Sequence, residues 1–225
     1  MCGRFDLHTP MPWVAEAYFG VTRPLEQVAG RYNIAPGTQI STVRQGDEQT
    51  EFALMKWGFR PSWAGEDAPR PINARAEKVA TSRFFSHAFH HKRCLIPADG
   101  WFEWLATESG KQPYYITDPS LGASEVLFFA GIFSGSVEAG FSVAILTEPA
   151  APNLRHIHDR QPVVLDPESR YDWVNPELVE RAEIKRVTRR LDPERLESWP
   201  VTARMNRPDY DDPSIIESVG GELET

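Results

Sequence analysis

RCLIPADGWFEWL, residues 93–105, reads as extended chain: apolar and aromatic residues crowd together without helical spacing. Three similar runs follow, QPYYITD (112–118), VLFFAGIFSG (126–135) and FSVAILTE (141–148). The 19 prolines and 15 glycines fall among these runs as turn punctuation. Upstream, QISTVRQ and TEFALMKWG flank GDEQ and predict a hairpin turning near Gly46-Asp47. Helices are expected toward the ends and at one crossing. MPWVAEAYFG (11–20) is to stop at Gly20, TSRFFSHAFHHK (81–92) to start from a Thr81 or Ser82 cap, and PELVERAEIKRVTRR (176–190) to be polar. SWPVTARMN (198–206) reads as a last strand. This pattern predicts an α+β fold with a mainly antiparallel sheet, open or closed, and peripheral helices.

The chain has 225 residues, 41% hydrophobic and 25% charged, which suits one globular domain. Residues 1–207 are expected to form it, with 208–225 as an acidic, loosely ordered tail. The longest apolar run is too short to span a bilayer, and no basic region followed by an apolar stretch opens the chain. Two cysteines, Cys2 and Cys94, make no disulfide framework. A cytoplasmic chain without a membrane partner is therefore expected, as a monomer. The net charge of −8 argues against nucleic acid, but the charge is uneven: Lys56–Arg93 holds eight Lys/Arg against three acids.

Cys2 is the most unusual candidate. If Met1 is removed, Cys2 carries a thiol and an α-amine on adjacent carbons, with ordinary pKa values near about 8.5 and about 8. Such a pair closes on an aldehyde to give a five-membered thiazolidine. The alternatives are an N-terminal cysteine nucleophile cleaving amides, with its own amine as base, or a small packed hydrophobe. Cys94, inside an apolar run, reads as buried and inert.

In a strand, Trp101, Glu103 and Leu105 share one face, and Phe102 and Trp104 the other. Glu103 is then either at a solvated edge or partly buried, where burial raises its pKa toward that of a proton shuttle. His156, His158, Asp159 and Arg160 precede a short strand; a histidine between a carboxylate and an arginine suits an acid or an anchor. Asn73 and Arg75, two apart in INARAE, point the same way; the amide can orient a group and the guanidinium can bind phosphate. Trp63, in a loop, can stack on a base. His87, His90 and His91 lack the paired spacing of a zinc site, so neither metal nor cofactor is expected. No phosphate-cradling loop, dinucleotide fingerprint or serine-hydrolase elbow is present.

In order along the chain, MCGRF, GRYNIAPGT, WGF.PSW, INARAE, TSRF, CLIPADGWFEW, IHDRQPVVL and VTARMN resemble the SOS-response-associated peptidase (SRAP) family, over nearly the whole length. The resemblance implies a barrel-like antiparallel core. It also implies a function: shielding abasic sites in single-stranded DNA through a thiazolidine on mature Cys2, in the DNA damage response. Matched one by one, Cys2 is the crosslinking residue, Asn73 the active-site asparagine, Glu103 the catalytic glutamate and His158 the catalytic histidine. Arg4, Arg75 and Arg83 are implied phosphate contacts, with Asn33, Pro36, Trp63 and Ser82 along the DNA path. Gln161 departs from the hydrophobe or arginine of many members, and loop 64–70 looks particular to this chain. Class II glutamine amidotransferases also begin Met-Cys-Gly, but nothing here marks an ammonia-accepting partner domain. A self-processing cysteine peptidase remains the competing reading, and a passive single-strand binder a third.

Overall fold

The run 93–105 forms two strands in different sheets. In the computed structural model, which describes residues 2–22, 29–46 and 49–220, the break falls at Asp99. Its carboxylate accepts hydrogen bonds from the backbone N–H of His8 (2.6 Å) and Thr9 (2.9 Å) and from the Thr9 hydroxyl (2.5 Å). Asp99 thus ties down the chain leaving the first strand. Gly100 follows because nothing larger fits: a Cβ there would lie 2.5 Å from the Tyr115 hydroxyl and 2.6 Å from the Ile116 carbonyl oxygen.

In chain order the elements are β1 (Arg4–Leu7), α1 (Met11–Phe19), β2 (Arg31–Ile34), β3 (Gln39–Gln45), β4 (Thr50–Trp57), β5 (Asn73–Arg75), α2 (Ser86–His91) and β6 (Arg93–Ala98). Next come β7 (Gly100–Thr107), β8 (Gly110–Thr117), β9 (Leu127–Ser136), β10 (Gly140–Pro149), β11 (Arg160–Pro162) and β12 (Val164–Leu165). The chain closes with α3 (Arg170–Val174), α4 (Arg181–Val187) and β13 (Glu197–Pro200), separated by short 3₁₀ turns.

Five strands close on themselves in the order β10-β4-β3-β6-β9 and back to β10. All neighbours in the ring are antiparallel except β4 and β10, so the barrel is mixed, and β5, β11 and β12 pair on its outside. A second sheet, β13-β8-β7-β1-β2, packs beside it. The expected α+β fold with a barrel-like, mainly antiparallel core is therefore what the chain adopts. β6 is buried at every residue because it has the barrel core on one side and α2 and α3 on the other. Phe5, Trp57, Trp101 and Phe129 meet edge to face between the layers, at centroid separations of 5.3–6.0 Å. On the far face of the second sheet, Phe102, Tyr115, Val201, Met205 and Ile215 form a smaller core.

Helix α1 ends at Gly20 as expected, with φ of 64°. The β3–β4 hairpin also forms, pairing Gln45 with Thr50, while Asp47 of its expected turn lies outside the described residues. Three local expectations are corrected. Residues 81–92 make only the six-residue α2, entered from Phe85, because Ser82 Oγ accepts the Phe84 N–H in a tight turn of its own. The polar helix shrinks to the seven residues of α4, since a polar sequence of this kind gains little by burial. The last strand stops at Pro200, and Ala203–Asn206 is a 3₁₀ turn capped by the Thr202 hydroxyl.

The segment after residue 208, expected to be loose, is largely exposed where it is described but is anchored at several points. Asp211 accepts the N–H groups of Tyr32 and Asn33, Ile215 is fully buried, and Trp199 Nε1 donates to Ile216 O. The acids here cap backbone donors, and isoleucines lie between them, so net charge alone was a poor guide. Arg93, one of the eight bases of the middle stretch, is buried: it donates five hydrogen bonds to the carbonyls of Phe89, His90, Trp173, Asn175 and Leu178.

Candidate active site

The site begins where β1 starts. Cys2 is fully buried, its Sγ 3.9 Å from Arg4 O. Burial, and then the charge of Glu103, push its thiol well above the ordinary range. Of the readings open for Cys2, a packed position is realised in its burial, but its neighbours are not those of an inert core.

Asn73 comes from β5, which lies parallel to β10 with Asn73 opposite Ile145. Its Nδ2 donates to Cys2 O at 2.8 Å, while its Oδ1 is buried with no hydrogen-bond partner among the described residues. Just before the strand, Trp57 Nε1 and the Ile145 N–H both donate to Ile72 O, at 2.9 and 3.0 Å, pinning the incoming loop.

Glu103 sits on β7 opposite Tyr114 of β8, on the face it shares with Trp101. At 2% exposure it is buried rather than at a solvated edge, which resolves the alternative left open by alternation alone. Burial pushes its carboxyl up to about 7, and the charge of Asp159 adds to this. Such a carboxyl exchanges a proton near neutrality.

His158 lies in the loop joining β10 to β11 and is partly buried. Its Nδ1 accepts the Arg160 N–H at 2.9 Å and is 3.0 Å from Asp159 Oδ1. With Nδ1 accepting, the network assigns the proton of the neutral ring to Nε2. Burial holds the ring pKa below its usual value, favouring that neutral form. The loop is braced on three sides. Gln161 Oε1 accepts the Ala151 N–H (2.8 Å), and Arg160 forms a bidentate pair with Glu77 (2.5 and 3.0 Å) and donates to Thr147 O (2.7 Å). Asp159 links the loop to Glu103 electrostatically.

The residues implied as contacts divide into two groups. Arg75 and Arg83 are exposed, Ser82 is partly so, and Pro36 stands out at the β2–β3 turn. Trp63 is 64% exposed and edge-on to Phe84 at 6.0 Å. Arg4 and Asn33 are turned inward. Asn33 is 1% exposed, and its Nδ2 donates to the carbonyls of Met205, Arg207 and Tyr210. Arg4 donates to Asn33 Oδ1 at 2.7 Å and to Met205 O at 3.2 Å. These two side chains hold the C-terminal segment against β1 and β2.

Sequence reasoning overlooked the Glu77–Arg160 brace, although Glu77 lies within INARAE. It also overlooked a trio on the other face of the second sheet, Asp6, His8 and Asp99, for which the signal was Asp and His two apart on one strand. His87 and His91 lie side by side on the α2 surface, their rings tilted by 44° with centroids 5.0 Å apart. Cys94 is fully buried and its thiol is raised by that burial, as expected for an inert position. Among the described residues, no helix is long and apolar enough to cross a membrane.

Several known proteins are similar. The abasic site processing protein YedK of Escherichia coli is 37% identical, over 79% of this chain and 81% of its own. The abasic site processing protein YoqW of Bacillus subtilis is 30% identical, over 97% of this chain and 100% of its own. Among solved structures, a Bacteroides thetaiotaomicron protein matches with a TM-score of 0.79 at 22% identity, covering 96% of this chain and 99% of its own. A phage-related protein from Bordetella bronchiseptica matches with a TM-score of 0.72 at 31% identity, covering 89% and 94%. The family model described as SOS response associated peptidase (SRAP) matches residues 1–208, and the chain belongs to that family.

Proposed function

We propose that this chain, once Met1 is removed, captures abasic sites in single-stranded DNA through a thiazolidine on Cys2. The reading is supported by its abasic-site-processing relatives and carried by one observation: Asn73 fixes the Cys2 backbone beside a buried carboxyl poised near neutrality.

An abasic sugar is mostly a closed hemiacetal, and only its open form has the C1′ aldehyde. His158, donating from Nε2–H, assists opening at the ring oxygen. The Cys2 amine adds to C1′, the carbinolamine loses water with a proton from Glu103, and an imine results. The thiol then adds across the C=N bond: sulfur bonds to C1′ and the thiol proton passes to nitrogen, with Glu103 as relay. The net change is loss of one water. Because burial keeps the thiol protonated, this relay replaces a free thiolate in bulk solvent. Asn73 supplies positioning, which is worth most when both nucleophiles belong to one residue. Arg75 and Arg83 take the phosphates and Trp63 a base, so the basic middle stretch outweighs a net charge of −8 locally.

Intact mass and denaturing-gel mobility after mixing the protein with abasic single-stranded DNA test this. A Cys2-dependent adduct one water lighter than the sum, formed without reductant, is expected. No adduct from a chain with a confirmed N-terminal cysteine overturns it and directs attention to amide hydrolysis.

A further inference from the structure

The trio on the opposite face does not depend on the reading of Cys2. Asp6 and His8 are two apart at the end of β1, so they share a side, and Asp99 reaches them from the β6–β7 corner. Ligand-capable atoms of all three lie within 4.8 Å of one another. His8 Nδ1 is 2.8 Å from Asp6 Oδ2 and 3.2 Å from Asp99 Oδ2. Asp6 is fully buried; among the described residues no donor meets its Oδ1 at hydrogen-bond geometry, and the Tyr115 hydroxyl is the further polar group acting on its carboxyl. Among the described residues no Lys or Arg forms an ion pair with either carboxylate, so His8 is their one cationic partner.

We propose that Asp6, His8 and Asp99 bind a divalent cation of octahedral preference. The spacing carries this. With bonds of about 2.1 Å, adjacent ligands of an octahedron are about 3.0 Å apart, whereas a tetrahedron sets them about 3.4 Å apart. Separations of 2.8 and 3.2 Å bracket the octahedral value. One nitrogen and two carboxylates favour manganese- or magnesium-like ions over soft ones. The cation takes the place of the proton that His8 Nδ1 shares with Asp6 Oδ2.

The surroundings are organised for this. Tyr32 stacks on the His8 ring at 4.7 Å and 10°, fixing its plane, and the His8 and Thr9 amides fix Asp99. His8, Asp99 and Tyr115 also line a cavity of about 520 Å³ whose other walls include Asp118 and Glu125. Its acidic lining and volume leave room for the waters that complete six coordination. The ion would staple the end of β1 to the corner where 93–105 passes between sheets.

Mn²⁺ alone is the probe, titrated into the full chain and followed by loss of the free-ion EPR signal. One ion per chain is expected, with Asp6→Asn and His8→Gln each weakening binding by about tenfold or more. A His87→Gln/His91→Gln double variant should bind as before. Mn²⁺ broadening of wild-type NMR signals answers the same question without variants, and should reach Thr9 and Tyr32 before His91 or His158. No uptake, uptake unmoved by both substitutions, or broadening centred elsewhere overturns the site and leaves the trio closed by protons.

Discussion

Glu103 and Asp6 lie on adjacent strands, point to opposite faces of one sheet, and are both pushed up to about 7 by burial. Their neighbours differ. Glu103 faces the Cys2 and Asn73 side, where a thiol and an amide converge. Asp6 faces His8, Asp99 and Tyr115, with no thiol or amine beside it among the described residues. On the proposed readings, the same desolvation serves a proton relay on one face and a cation site on the other. A perturbed pKa marks a buried carboxyl; the chemistry comes from what it touches.

The largest expected effect tests the first face outright: Cys2→Ala should abolish the DNA adduct by intact mass while the protein still binds the strand. Glu103→Gln should slow capture by about 10²-fold, the usual scale for a lost proton shuttle. The same change sharpens the comparison through stability. The folded chain holds a Glu103 proton that the unfolded chain releases near 4.5, so this contribution is fully present below that pH and is lost as pH rises through about 7. Glu103→Gln should thus be more stable than wild type by roughly 1–3 kcal/mol near pH 8.5, with the gap closing by about pH 4. Thermal melts at both pH values read this directly.

Asn73→Ala should cost about tenfold in capture rate through lost positioning, with the melting temperature little changed. Arg75→Ala should weaken strand binding a few-fold and reduce the salt slope by about one, since Arg75 is exposed and makes no ion pair among the described residues. Smallest of all, Asp6→Asn should leave the capture rate within about twofold, as expected for a site not coupled to the reaction. If Asp6→Asn slows capture as much as Glu103→Gln does, the two faces are one machine and the comparison fails.

Much of the site was legible in the chain because its motifs are contiguous. Cys2 in MCGRF, Asn73 in INAR, Glu103 in GWFEW and His158 in IHDR each stand in a run that names the residue without a structure. Alternation also placed Trp101 and Glu103 on one face and Phe102 and Trp104 on the other, and the two cores divide Trp101 from Phe102 and Trp104 in that way. What alternation could not decide was which face has a second layer over it, and hence whether Glu103 is solvated or buried. Arg4 and Asn33 show the limit from the other side: their partners are the carbonyls of residues 205–210, more than 170 positions away.

By itself the sequence determined the class of fold, the strand-rich middle, the family and the four residues on which the chemistry is proposed to rest. These are local properties, set by spacing, turn chemistry and motif. Tertiary structure decided that 93–105 divides between two sheets at Asp99, that β10 closes the barrel against β4, and that Asp211 and Ile215 anchor the segment after 208. It also decided that two carboxyls from neighbouring strands are both raised by burial while facing different partners. Each of these rests on contacts between distant parts of the chain, where burial and orientation depend on what covers a face, and no window of neighbouring residues contains that information.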